Sequence, residues 1–211
     1  MEAVPMKIPL RYQITDFDCG PTSLLNGISF LFEREEIPPE IVRNIMLFCL
    51  DQYDLDGTPG KKGTSHAAMQ FLSHWLDGFG ETGKLALKSV YLTGGDVTFE
   101  PGSRLRSGIV RGGTAVVRID LEGWHYVLVT DVREDSAYVF DPYRLPEPFP
   151  VPDVKTVTDH EFSYNRIVPL AKFERTELLP YSFGPYEQRE AVLLFNAGTI
   201  IPEDQAVDYI I

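Results

Sequence analysis

The sequence predicts an α+β fold, on three observations. Apolar residues recur at helical spacing in the first third of the chain, and runs rich in Val, Ile, Tyr and Phe replace them from residue 85 onward. Gly-Gly and Glu-Gly steps punctuate those runs. Helices first and antiparallel strands afterwards indicate layers that are segregated rather than alternating βαβ units.

Pro21 suits an opening helical position, and Leu24, Leu25, Ile28, Leu31 and Phe32 follow at helical spacing, so a first helix is expected over about 21–32. A second, over about 39–52, is again introduced by proline. In a third, over about 65–75, Ala68, Phe71, Leu72, Trp75, Leu76 and Phe79 form an apolar stripe while His66, Gln70, Ser73 and Asp77 lie off it. The intervening DLDGTPGKKG reads as a mobile loop. Strands are expected over 85–92, 114–121, 124–132, 137–143, 162–170 and 191–195. RLPEPFPVPDV, with four prolines, is an extended surface loop.

With 211 residues, 44% of them hydrophobic, the chain can bury one sizeable core. A single domain, 1–211, is expected, mainly helical over 1–84 and mainly antiparallel sheet over 85–211. Asp and Glu number 31 against 19 Lys and Arg, a net charge of -12, and no basic cluster offsets this locally. Phosphate backbones would be repelled, which excludes nucleic acid as a partner class. No apolar run reaches the roughly 18 residues of a membrane span, and the N-terminal segment lacks a signal-peptide run, so a cytoplasmic location is expected. Two cysteines, Cys19 and Cys49, make neither a disulfide framework nor a zinc site. Both are expected as free thiols, and no metal or cofactor is called for.

The chemistry concentrates around Cys19. In Asp18-Cys19-Gly20-Pro21-Thr22-Ser23 the thiol stands at a turn that opens a helix, where unpaired N–H groups and the positive end of the dipole favour thiolate, the nucleophilic form. The competing reading is a packed core thiol. A nucleophile needs a base, and the base an orienting group. His125 opens a strand pattern in Gly123-Trp-His-Tyr-Val-Leu-Val, and Asp141 ends the next in Tyr138-Val-Phe-Asp141-Pro142. They lie opposite each other if the hairpin turn centres on Arg133, and are offset if it centres on Glu134-Asp135. Gln13, six positions before Cys19, has a side-chain amide that a folded-back loop would bring toward the sulfur, where it and the Cys19 N–H would stabilise an oxyanion.

Gln13, five intervening residues and then Asp18-Cys19-Gly20-Pro21-Thr22-Ser23-Leu24 resemble the active-site segment of papain-like cysteine peptidases. The nearest branch is the one that processes double-glycine bacteriocin leaders, with its free-standing relatives. Trp124-His125-Tyr126-Val127 and Asp141-Pro142 match the branch's histidine and aspartate segments in the same order. The resemblance spans about 13–143; residues after roughly 150 match nothing nameable. It implies a papain-like fold, with an N-terminal helical lobe packed on a C-terminal antiparallel sheet. It also implies a cysteine hydrolase acting on a peptide, protein or small amide through an acyl-enzyme, with Cys19, His125, Asp141 and Gln13 as catalytic residues. Related sequences include acyl transferases and catalytically silent peptide-binding domains. The transporter and ATPase segments that usually follow in bacteriocin processing are not present, so peptide export is not implied.

Gly20, Trp124 and His66 are the residues expected to bind substrate, with the 54–63 loop and the segment after 150 narrowing the cleft. Cys49 is expected in the core of the second helix. His66 and His74, two helical turns apart, lack the one-turn pairing of a zinc motif. Asp54-Leu-Asp56-Gly57 is expected to be a turn rather than a calcium loop. Asp16 and Asp18 would raise the pKa of a nearby thiol, so their carboxylates are expected to point away from the sulfur or to cap the helix.

Overall fold

The computed structural model describes residues 6–144 and 151–202. Three helices come first, α1 (Cys19–Leu31), α2 (Pro39–Phe48) and α3 (His66–Glu81), followed by β1 (Leu87–Thr93) and a short α4 (Arg104–Val110). Then come β2 (Thr114–Asp120), β3 (Trp124–Arg133), β4 (Ser136–Phe140), β5 (Lys155–Thr156), β6 (Arg166–Pro169), α5 (Leu170–Phe173) and β7 (Glu190–Asn196). All strands join one antiparallel sheet in the order β1-β7-β2-β3-β4-β6-β5. The fold is α+β.

The sheet is covered on both faces. On one, Val116, Tyr126, Leu128, Phe140, Val192 and Leu194 pack under residues of α1, α2 and α3, among them Leu24, Ile28, Ile41, Ile45, Met69 and Leu72. On the other, Ala115, Val117, Ile119, Val127, Val129 and Val139 meet Leu105 and Ile109 of α4 together with Phe99, Phe173, Tyr181 and Phe183. Two-sided burial explains why β2 and β3 read as nearly continuous apolar runs rather than as an alternation.

The boundaries differ from expectation in ways that bear on the site. α1 starts at Cys19, so Cys19 lies within the first turn and Pro21 at the third helical position, where the missing N–H is one of the helix's unpaired donors anyway. α2 ends at Phe48, and α3 continues to Glu81, capped by Ser65, whose hydroxyl accepts from the Ala68 N–H. α4 has no counterpart among the expected elements. Its two-turn length is too short to display a period, and Gly108 lets it close on Leu193 and Phe195. The layers are less segregated in sequence than predicted, because α4 separates β1 from β2 and the last strand, β7, is inserted between them. The expected 162–170 strand shrinks to Arg166–Pro169. Of the proline-rich loop, residues 145–150 lie outside the described residues.

Candidate active site

Cys19 is fixed through its helix. Within α1, Ser23 donates to the Tyr126 carbonyl of β3 at 3.0 Å, and Asn26 pairs with both the N–H and the C=O of Arg11 at 2.8 and 2.9 Å. Gly27 lets the helix approach Leu194 and Leu128, where an added Cβ would fall 2.9 and 3.3 Å from their methyl carbons. The Arg11 segment continues to Gln13, whose N–H donates to the Pro142 carbonyl at 2.9 Å. This ties the residues preceding Cys19 to the segment carrying Asp141.

His125 and Asp141 meet through a register device in β3. The hairpin turn holds Glu134 and Asp135, with Glu134 in the left-handed region at φ 50°, and Arg133 pairs with Ser136. Continued unbroken, that register would put His125 and Asp141 on opposite faces, since partners across a sheet share a face and side chains alternate. A β-bulge at Thr130 inserts one residue between Val129 and Asp131, and Leu128 then pairs with Phe140. The inversion is visible in the core, where Val127 and Val129 share a face with Val132. Of the two possible turn positions, the one at Glu134-Asp135 is observed. His125 and Asp141 are accordingly offset rather than opposite, diagonal neighbours on one face.

His125 Nε2 donates to Asp141 Oδ1 at 2.8 Å. That leaves Nδ1 free for Cys19, which lines the same cavity and whose thiol also favours the charged imidazole. All three residues are buried, Asp141 completely. Burial is the largest influence on His125 and disfavours its charged form, but the charge and hydrogen bond of Asp141, with the Cys19 contact, outweigh it and raise the imidazole to about 10. For Asp141, burial works toward protonation. His125, the Tyr181 hydroxyl and the Tyr143 N–H together outweigh it and hold the carboxyl below its usual range. At neutral pH this favours an imidazolium beside a carboxylate, the partner that a thiolate requires.

A cavity of about 230 Å³ opens beside these groups, lined by Gln13, Asp16, Cys19, Leu121, Glu122, Gly123, Trp124, His125 and Tyr143. One amide hydrogen of Gln13 is donated to the Thr15 carbonyl at 2.7 Å, and its Oε1 is buried without a partner among the described residues. Trp124 lines the cavity and stacks on the Arg118 guanidinium, 3.9 Å from the ring centroid. Asp18 turns to the preceding loop: burial, the largest single influence, favours its protonated form, but the Ile14 and Thr15 N–H groups, donating to it at 3.0 and 2.6 Å, and the Thr15 hydroxyl together outweigh it and hold the carboxyl below its usual range. Its carboxylate makes no bond to the helix backbone; of the two expected arrangements the helix cap is not formed, and the carboxylate clamps the loop. Asp16 lies on the cavity wall.

Gly20 and His66 lie elsewhere. Gly20 is buried under Thr64, where a Cβ would fall 2.3 Å from Oγ1. His66 joins a polar cluster around Glu190, itself 1% exposed: Nδ1 is 3.1 Å from Glu190 Oε2, and Arg118 Nη1 reaches Nε2. Tyr91 donates to Glu190 Oε2 at 2.5 Å and Tyr126 donates to Oε1. Because guanidinium can only donate, His66 Nε2 must accept and Nδ1 carries the proton toward Glu190. Neither the 54–63 loop nor any described residue after 150 lines the cavity. Asp54 Oδ1 accepts from the N–H groups of Asp56 and Thr58, an ordinary side-chain turn. Cys49 is fully buried, and burial pushes its thiol far up. No group of three or more metal-ligating side chains occurs among the described residues, and no helix among them is long and apolar enough to cross a membrane.

Sequence reasoning misses the groups behind Asp141. The Tyr181 hydroxyl donates to Oδ2 at 2.6 Å and the Tyr143 N–H to Oδ1 at 2.9 Å. Asn165 clamps the Asp141 backbone, accepting from its N–H and donating to its C=O, both at 2.8 Å. Tyr143 is the second residue after Asp141 and is within reach of local reasoning. Asn165 and Tyr181 are 24 and 40 residues away and carry no motif.

No protein-family model matches the chain, and neither does any curated protein. Among solved structures the chain is similar to a double glycine motif protease from an AMS/PCAT transporter, solved in complex with the leader peptide. The identity is 11% and the TM-score 0.43, over 92% of this chain and 94% of that one. Likeness at this level leaves the chemistry to the side chains themselves.

Proposed function

We propose that this chain is a cysteine-dependent hydrolase that cleaves an amide or peptide bond through an acyl-enzyme at Cys19. The observation that carries the reading is His125, buried between Cys19 on one side and Asp141 on the other at the wall of an open cavity.

Each step has a group at hand. The Cys19 proton passes to His125 Nδ1, and Asp141 on Nε2 keeps the ring oriented and stabilises the imidazolium. The thiolate adds to the substrate carbonyl, forming a C–S bond and an oxyanion that the helix-start N–H of Cys19 and the second amide hydrogen of Gln13 stabilise. Collapse breaks the C–N bond as His125 returns its proton to the leaving amine. Water then attacks the thioester, giving a proton to His125, and departure of Cys19 sulfur releases a carboxylic acid. The imidazolium proton returns to the thiolate, closing the cycle. An amine in place of water would make the same site an acyl transferase.

The two cysteines provide an internal comparison. Iodoacetamide near neutral pH should alkylate Cys19 at least about a hundredfold faster than the buried Cys49, read by mass spectrometry of the digested protein. The contrast should collapse in His125→Ala. Equal, slow labelling of both cysteines in the native chain would overturn the reading.

A further inference from the structure

Tyr181 lies far from Cys19 in sequence, in a segment that matches no motif, yet it reaches the carboxylate behind His125. Its side chain is completely buried, and its backbone sits at φ 69°, in the left-handed region that a bulky side chain rarely adopts. A conformation of that kind persists only where the surroundings over-determine it, and such residues cluster at functional sites. The surroundings are specific. The Tyr181 N–H donates to the Asp120 carbonyl at 2.8 Å, its ring packs edge-on against Phe173, and Asp120 N–H donates to the adjacent Ser182 carbonyl at 2.8 Å. The strained residue is thus pinned to the end of β2, beside the turn that leads to Trp124 and His125.

We propose that Tyr181 is a positioning residue for this site: with Arg166 behind it, its hydroxyl fixes the Asp141 carboxylate in the orientation that holds His125. Asp141 Oδ1 serves His125 and the Tyr143 N–H, and Oδ2 is committed to Tyr181. With both oxygens occupied, the carboxyl group cannot rotate without losing a bond in a site closed to water. The Arg166 guanidinium, itself buried, is in hydrogen-bonding contact with the same hydroxyl and polarises it. Burial first, then the charge and hydrogen bond of Asp141, push the Tyr181 phenol well up, so it stays an O–H donor throughout the working pH range. A chain of contacts therefore runs Arg166, Tyr181, Asp141, His125, Cys19. Its first two members come from the described residues after 150, which support the site from behind and do not line the cavity.

The orienting role of Tyr181 is independent of turnover; its effect on thiol reactivity rests on the hydrolase reading. Two readouts on the full chain keep them apart. The first is the downfield NMR signal of the His125 Nε2–H hydrogen-bonded to Asp141, which should be present in the native protein and shifted or broadened away in Tyr181→Phe. The second is the pH profile of Cys19 alkylation by iodoacetamide. Its acid limb should move up by about half to one pH unit in Tyr181→Phe, equivalent to roughly three- to tenfold slower labelling on that limb. A variant with a lowered melting temperature but an unchanged Nε2–H signal would overturn the proposal, reducing Tyr181 to packing. So would the absence of that signal from the native protein. Should Tyr181→Phe fail to fold by circular dichroism, Arg166→Lys, which keeps the charge but shortens the reach, should move both readouts the same way by less. No movement in it would overturn the proposal. If native Cys19 labels no faster than Cys49, the hydrolase reading fails alone, and the NMR signal still decides Tyr181.

Discussion

His125 and Asp141 share a sheet face because Thr130 is one residue too many in β3. The two-residue turn at Glu134-Asp135 sets one register, the bulge sets another, and the 2.8 Å contact exists only in the second. Deleting Thr130 should therefore leave an unbroken ladder, with Val129 and Asp131 as neighbours still opposite Val139 and Tyr138, and fast Cys19 labelling should be retained. Inserting one glycine between Thr130 and Asp131 instead leaves two residues of β3 without partners, so residues 124–129 should turn over or shift along β4 and fast labelling should be lost. Retention in the deletion and loss in the insertion is the expected pattern. Labelling that survives the insertion would show that the register of β3 is irrelevant to the site.

The buried pair should leave a mark on stability against pH. His125 is raised from 6.5 to about 10, so its contribution is fully present below pH 6.5 and lost as pH rises through about 10. Asp141 is lowered from 3.8, so its contribution is present above that value and lost as pH falls through the folded one. The pair thus contributes fully between roughly pH 4 and 6.5 and fades on the alkaline side. Each tenfold difference in proton affinity between the folded and unfolded chain corresponds to about 1.4 kcal/mol. The double variant His125→Gln/Asp141→Asn keeps the shapes without the titration. Urea unfolding at about pH 5.5 and about pH 9.5 should show a native advantage over it that shrinks at the higher pH. An advantage independent of pH would mean that the pair is not charged in the folded state.

What can be read from the chain follows range. Cys19 at a helix start, His125 at a strand start and Asp141 before Pro142 are local statements about turns and periods, and the structure brings the three together. An even separation implies a shared face only for a turn centred on one residue such as Arg133; with the observed turn, His125 and Asp141 share a face because of the bulge at Thr130, which local pattern does not contain. Thr130 is a β-branched residue in an apolar run, and nothing distinguishes a bulged threonine from a paired one. Glu190 reads as one more surface acid, yet it is buried because Tyr91, Tyr126, Arg118 and His66 converge on it from three strands and a helix. Such convergence is tertiary, as is the path that brings Tyr181 behind Asp141. His66 lies off the apolar stripe of α3, as its spacing predicts, but its neighbour is Glu190 rather than the cavity.

Two carboxylates on the cavity wall should set the charge preference of the site. Asp16 and Glu122 both line it, and Glu122 is held at φ 57° in the turn before β3. They lie within a Debye length of a reagent approaching Cys19, so they act on it even in salt. Negatively charged iodoacetate should label Cys19 more slowly than neutral iodoacetamide, relative to the two reagents' rates on a free thiol. Asp16→Asn/Glu122→Gln should raise the iodoacetate-to-iodoacetamide ratio by about two- to fivefold, and about 0.5 M salt should shrink that gain. An unchanged ratio would show that the carboxylates face away from the incoming group.

Gly20 couples the helix that opens with Cys19 to the loop before α3. A Cβ there would fall 2.3 Å from Thr64 Oγ1, 3.0 Å from its Cβ and 3.3 Å from Met69 Cε, and Thr64 Oγ1 lies 3.5 Å from Cys49 Sγ. The clash is with a β-branched side chain whose χ1 is stiff, so rotation alone does not relieve it. Gly20→Ala should then cost about 1–3 kcal/mol by overpacking, measured by urea unfolding. Because Gly20 follows Cys19 directly, the displaced helix start should also slow Cys19 labelling. Thr64→Ala or Thr64→Gly removes the obstructing hydroxyl, and combined with Gly20→Ala it should recover most of both losses, a coupling that a double-mutant cycle reads directly. Additive losses would place the strain elsewhere, in the backbone of the first helical turn rather than against the loop.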